Sequence, residues 1–270
     1  MASPLGYPRN TPLGRFGIET LEQDPDRCVA TLPTTQLVNP LTGVPTIATL
    51  ALLVDHLGGL INHLRRGPGQ WTVSSELSLE VVPDAVEVFA SSPAVLGTAR
   101  PVGRRTADAL GLCELRAGDA GLATATVRSF YIAAPANVAD GWPDNATTAA
   151  PGRTLSELMA VDVGESGGAA TVLLQREDPA LNNIIGIVHG GISSMGLELA
   201  ASAAVTRDVS GEAYRTASLR VNFLRPFHGG TAARYEATRL HRGRSSGVAE
   251  AQAVGSDGRV AMVGRLTAYR

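Results

Sequence analysis

The sequence predicts an α+β fold built from two similar halves, each a long apolar helix wrapped by a curved antiparallel β-sheet. Three observations lead there. Thr46–Leu64 reads as a helix and Asn182–Thr206 as a loop then a helix, both helices apolar on nearly every side, so each must be covered all round. After each come about four runs that alternate apolar and polar residues, the period of a half-buried strand. The same order recurs after about 140 residues. Gly43 aligns with Gly186, Thr46 with His189, Ile47 with Gly190 and Asp55 with Glu198.

Taken in order, residues 1–12 carry three prolines and little to bury, which predicts a loose arm. Phe16–Leu32 reads as a hairpin turning at Asp24-Pro25-Asp26. Asn39–Pro45 is punctuation before the first helix. Thr72–Val82 alternates as a strand, and further strands are predicted near 85–92, 94–103 and 107–116. Gly118-Asp119-Ala120-Gly121 is a hairpin turn into Leu122–Ile132. Ala133–Arg153 has proline, glycine and no period, and reads as a linker. Beyond it, Leu158–Leu174 is strand-like, the second helix follows, and strands are expected at Thr216–Arg225, Thr231–Arg242, Gly247–Val254 and Arg259–Tyr269. Thr72 aligns with Thr216, one residue out of step. The expected units are therefore residues 1–133 and 154–270, joined by 134–153.

Composition narrows the function classes. The chain has 270 residues, 44% hydrophobic and 18% charged, an ordinary globular balance. Net charge is −2, so bulk charge gives no reason to expect a nucleic-acid partner. Every basic residue is arginine, whose forked donors suit phosphate. Cys28 and Cys113 are far apart and predict buried free thiols; no metal-ligand spacing occurs. No signal peptide is evident at the start, and the longest apolar run, near residues 44–54, is too short to cross a membrane. The expectation is a cytoplasmic protein with no membrane partner.

The densest chemistry lies in N-N-I-I-G-I-V-H-G-G-I-S-S-M-G-L-E-L-A-A-S, residues 182–202. His189-Gly190-Gly191 opens a helix, and helix starts leave backbone N–H groups without partners. Glycine leaves those groups unshielded, a place to hold a carbonyl oxygen that becomes negative during reaction. A close-packed helix start accounts for the same glycines. A second His-Gly-Gly, at His228–Gly230, precedes a strand and reads as a turn. Glu198 is a lone acid in an apolar segment, as Asp55 is in the first helix.

The motif N-x-x-G-x-x-H-G-G at Asn183–Gly191, with Glu198 beyond it, resembles the signature of the PaaI-like acyl-CoA thioesterases, and the repeat resembles a double hotdog fold. In that family an Asn or Gln precedes the His by six residues and the acid follows by nine; Asn183, His189 and Glu198 fit both. A hydroxyl one turn after the acid falls on Ser202. The first half departs from the pattern: Thr46-Ile47-Ala48 replaces His-Gly-Gly, Pro40 replaces Asn183, and Gly59 stands where Ser202 stands. The resemblance implies acyl-CoA as substrate, no cofactor, no metal, and a homo-oligomer of such chains.

Helix length decides which groups meet. Gly190 and Glu198 lie eight residues apart, about 12 Å along one helix, so one thioester carbonyl cannot touch both. The resemblance to a symmetric hotdog pair implies two helices running antiparallel side by side, so the acid facing the Gly190–Gly191 start comes from the other half. One candidate site therefore joins Asn183, His189, Gly190 and Gly191 to Asp55, and another joins Glu198 and Ser202 to Thr46-Ile47. Asp55 ranks ahead of Glu198 as the working acid, either as base or as nucleophile. Leu52, Met195 and Leu199 are candidates to line an acyl pocket, and Arg104 and Arg244 to touch CoA phosphates. His56 and His63 read as packing or rim residues. A ligand-binding protein without turnover, and a hydratase, are the competing readings.

Overall fold

The computed structural model of the chain describes residues 5–35, 37–136, 138, 154–165, 171–207 and 213–270. The first half runs β1 (Leu5–Gly6), α1 (Pro12–Arg15), β2 (Glu19–Gln23), β3 (Cys28–Pro33), α2 (Thr49–His63), β4 (Gln70–Val81), α3 (Ala85–Ser91), β5 (Ala94–Val102), β6 (Asp108–Ala117) and β7 (Ala120–Ala133). The second runs α4 (Leu155–Met159), β8 (Val161–Gly164), β9 (Thr171–Gln175), a 3-10 turn at Pro179–Leu181, α5 (Gly190–Thr206), β10 (Arg215–Phe223), β11 (Arg234–Arg242), β12 (Ser246–Val254) and β13 (Val260–Tyr269). The linker expected over 134–153 lies outside the described residues from 139 onward.

The strands of the described residues form one 13-stranded sheet in the order β1-β2-β3-β5-β6-β7-β4-β10-β13-β12-β11-β9-β8. From β3 to β9 this order is a palindrome. Reading outward from the β4–β10 junction, each half lays down its strands in the same sequence. The junction is antiparallel, with Leu79 opposite Leu219 and Leu77 opposite Val221. Such an arrangement is what a pseudo-twofold axis between two copies of one unit produces.

The two long helices fill the inside of this sheet. Residues Leu50–Leu57 of α2 and Gly191–Ala201 of α5 are buried without interruption, which explains their apolar character on every side. The start of each helix meets the middle of the other, as antiparallel neighbours must: His189 lies against Asp55, and Thr46 against Glu198. Small residues permit the close fit. A side chain at Gly58 would meet Val127 Cγ2 at 2.5 Å, and one at Gly196 would meet the Tyr235 ring at 2.5 Å. Both cysteines are free and buried.

Three expectations are overturned. Residues 85–91 form helix α3 rather than a strand; Pro83 ends β4, and the buried pair Ala85 and Phe89 is four apart, the helical spacing. Leu158–Leu174 is not one strand. Thr154 and Glu157 form a capping box that starts α4, and β8 and β9 follow. The start of the chain, as far as it is described, is not loose. Leu5 pairs with Thr20, Thr11 and Leu13 are buried, and Arg15 reaches across to Asp178 at 2.6 Å.

Candidate functional site

Each long helix is preceded by a short loop closed by an isolated bridge, Val38 with Pro45 in the first half and Asn182 with Val188 in the second. Both loops turn through a glycine at positive φ, Gly43 (70°) and Gly186 (79°), where a side chain would be strained. The bridges correct the alignment read from sequence. The first loop is one residue longer, so Asn39, not Pro40, occupies the place of Asn183. Strand bulges correct a second pairing. The register shifts between Ser74 and Glu76 in β4 and between Thr216 and Ser218 in β10, so Ser74, not Thr72, corresponds to Thr216.

At the start of α5, His189 is the N-cap and its Nδ1 accepts from the Gly191 N–H at 3.1 Å. The same Nδ1 lies 3.3 Å from Asp55 Oδ2 of α2. One nitrogen cannot serve both partners at once. With its lone pair there, Nδ1 caps Gly191; with a proton there, it donates to Asp55 and releases the Gly191 N–H. Burial lowers the pKa of His189, the Asp55 carboxylate opposing that shift, so the ring is neutral at neutral pH. Asp55 Oδ1 accepts from Ser74 Oγ at 3.1 Å.

The glycines of this helix start have steric reasons. A Cβ at Gly191 would lie 2.7 Å from Leu52 Cα, a backbone atom that cannot swing aside. At Gly190 it would lie 2.9 Å from Asp55 Oδ2. Close packing therefore demands a glycine at both positions. Asn183 folds its loop, its Oδ1 accepting from Ile185 and Ile187 N–H at 3.1 and 3.3 Å. Its amide nitrogen has no acceptor among the described residues.

Asp55, Ser74, Asn183 and His189 line a cavity of about 240 Å³ that also takes in Tyr7, Leu60, His63 and Trp71. Beneath it, His56 Nε2 and the Tyr7 hydroxyl both meet Thr20 Oγ1 at 2.9 Å. Burial drives the His56 pKa down to about 3, with His189 adding to the effect, so it is a neutral packing residue. His63 sits at the rim, its Nδ1 2.7 Å from Thr72 Oγ1 and its pKa lowered by burial to about 4.

The second group assembles at the start of α2. Thr46 Oγ1 accepts from the Ala48 N–H at 3.1 Å, as His189 does for Gly191. It lies 3.4 Å from Glu198 Oε2, while Thr216 Oγ1 donates to Glu198 Oε1 at 2.5 Å. Burial raises the pKa of Glu198 to about 7. A cavity of about 260 Å³ holds Glu198, Thr46, Ser202 and Thr216. The glycines and the unspent Asn amide of the first group are missing here. Ile47 replaces Gly190 and is buried, and Asn39 Nδ2 is spent on Leu199 O at 2.8 Å and Ser202 Oγ at 3.1 Å.

So Asn183, His189, Gly190 and Gly191 come together with Asp55, and Glu198, Thr46 and Ser202 come together apart from them. Arg104 and Arg244 are exposed and line neither cavity. Leu52, Met195 and Leu199, expected around an acyl pocket, are fully buried core residues. Sequence reading missed Ser74, Asn39 and the role of Thr216. Two signals were available: Ser74 follows Asp55 at nearly the spacing at which Thr216 follows Glu198, and each long helix has an Asn before its Gly turn.

Among the described residues no cluster of three His, Cys, Asp or Glu is placed to hold a metal ion, and no helix is long and apolar enough to cross a membrane. No curated protein matches the sequence. Solved structures do match in fold. A Novosphingobium aromaticivorans protein described as a candidate thioesterase is 14% identical with a TM-score of 0.60, over 93% of this chain and 97% of that one. An acyl-CoA thioesterase II, TesB2, from Mycobacterium marinum is 11% identical with a TM-score of 0.58, over 94% of each chain. The tesB protein of Mycobacterium avium subspecies paratuberculosis is 15% identical with a TM-score of 0.55, over 93% and 94%. Residues 185–262, which begin within the Asn183 loop and run from there past His189 to the first residues of β13, match the Thioesterase superfamily. The chain is thus a hotdog-type protein that resembles that superfamily in sequence through its second half and solved thioesterases in fold along nearly its whole length.

Proposed function

We propose that this double hotdog is a hydrolase of acyl-CoA thioesters, working at the site that joins the start of α5 to Asp55. The observation that carries this reading is the meeting of a glycine helix start and an unspent Asn amide with a buried carboxylate from the opposite half. The thioester carbonyl oxygen is held by the backbone N–H groups of Gly190 and Gly191 and by Asn183 Nδ2. Asp55, fixed by Ser74, takes a proton from water, and the water oxygen attacks the carbonyl carbon. The carbonyl electron pair moves onto the oxygen facing the helix start. Its return breaks the C–S bond, and the proton passes to the departing sulfur, giving free acid and CoA. His189 with its proton on Nδ1 steadies Asp55 and leaves the Gly191 N–H to the substrate. The chain's own residues supply every step; CoA enters as part of the substrate.

The Glu198 group does not carry the reaction in this reading, because its helix start has Ile47 in place of Gly190 and its Asn is tied to Ser202. Thiol release from a panel of acyl-CoAs tests this, with wild type, Asp55→Ala and Glu198→Ala side by side. Loss in Asp55→Ala alone is the expected result. Loss in Glu198→Ala alone would move the chemistry to the other helix start. Acyl-CoA binding with no thiol release by folded wild type would make the protein a binder.

A further inference from the structure

Helix α2 carries two adjacent glycines, and only one has a packing reason. A Cβ at Gly58 would collide with Val127, whereas one at Gly59 would meet nothing within 4 Å. A glycine inside a helix is destabilising relative to alanine, so Gly59 is left unexplained by the fold. It lies one turn beyond Asp55 and lines the same cavity. His63 lies one turn further, about 12 Å from Asp55 along the helix axis. There its ring meets Trp71 edge-on, with centroids 4.6 Å apart. The cavity thus runs from the Asp55–His189 centre, past bare backbone, to a pair of aromatic rings. Its volume of about 240 Å³ falls below the ~300 Å³ at which pockets for drug-sized ligands begin.

We propose that Gly59 sets the size of the acyl group accepted. The acyl group leaves the reaction centre along α2, crosses the open backbone at Gly59 and stops against His63 and Trp71. The substrates are thioesters of compact acyl groups, not of long chains. The other half supports this reading by contrast: Ser202, at the place of Gly59, puts a hydroxyl into the corresponding space and engages Asn39.

This inference rests on the thioesterase reading, and two readouts keep the two apart. The first is kcat/KM for straight-chain acyl-CoAs from acetyl to decanoyl, with wild type, Gly59→Ala, Gly59→Leu and Trp71→Ala. Each methylene in an apolar pocket is worth about 10- to 200-fold. Gly59→Leu is therefore expected to lower the ratio of butyryl- to acetyl-CoA turnover by at least about tenfold. Gly59→Ala shifts the ratio less, and Trp71→Ala moves the optimum to longer chains. A Gly59→Leu protein that slows every chain length equally, or leaves the ratio unmoved, overturns the proposal. The second readout is calorimetric binding of the same acyl-CoAs. If wild type releases no thiol, the proposed chemistry fails, and the length dependence of binding still decides on Gly59. Circular dichroism and a melting curve establish that each variant is folded.

Discussion

At the start of α5, His189 Nδ1 accepts from the Gly191 N–H and faces Asp55 of the other half; at the start of α2, Thr46 Oγ1 accepts from the Ala48 N–H and faces Glu198. A hydroxyl from the following strand supports each acid, Ser74 for Asp55 and Thr216 for Glu198. The hydrogen-bonding plan has thus survived in both halves, while the chemistry around it has not. In one half the backbone is bare and an Asn amide is open to the cavity. In the other an isoleucine stands in place of the first glycine, the Asn is engaged, and burial raises the pKa of the acid to about 7. Capping a helix and packing two helices together constrain both starts equally. Only the first also keeps an unspent Asn amide on the cavity that its carboxylate lines, a donor of the kind carbonyl chemistry requires.

The largest expected difference between the halves is in rate. Asp55→Asn lowers kcat for thiol release by about 100- to 10,000-fold, the range for loss of a general base, while Glu198→Gln leaves kcat unchanged. Equal losses in both variants would mean that the two starts act together.

Next in size is a pH effect confined to the Glu198 half. The folded pKa of about 7 lies above the ordinary 4.5, so the folded protein holds a proton that the unfolded chain has released. That contribution is fully present below pH 4.5 and is lost as pH rises through 7, a change of about 3 kcal/mol. Denaturation of wild type and Glu198→Gln is therefore expected to diverge over this window, with the variant gaining on wild type as pH rises. Parallel curves would show that Glu198 is ionised in the folded protein throughout.

Gly191→Ala presses a methyl group against Leu52 Cα and is expected to lower stability by about 1–3 kcal/mol in urea titrations. A neutral result would mean that the helices can separate at this crossing. The smallest effect belongs to the supporting hydroxyls. Ser74→Ala removes a bond to Asp55 worth about 1.5 kcal/mol, or roughly tenfold in kcat. Thr216→Val leaves kcat unchanged, and a reversal of these two would point to the Glu198 cavity.

Much of this arrangement was legible in the chain. The apolar helices and the repeat follow from periodicity; the pairing of Asp55 with the opposite helix start follows from helix length together with the resemblance to a hotdog pair. The equivalence of Asn39 with Asn183 was not legible, because a one-residue insertion hides it and only the loop bridges reveal the register. Ser74 escaped notice because a bulge displaces it by two residues from the aligned Thr72. Helix α3 was read as a strand because Val86-Glu87-Val88 alternates over less than one helical turn, too short a stretch for the two periods to be told apart.

The sequence by itself determined which segments must be buried and which residue types stand at each helix start, since both are properties of local order. Tertiary structure decided which donors remain unspent. Asn39 and Asn183 are the same residue type in the same kind of loop, yet one amide is consumed by Ser202 and a carbonyl while the other opens onto a cavity. A hydrogen bond depends on what the fold brings within about 3 Å, and no reading of neighbours along the chain supplies that distance.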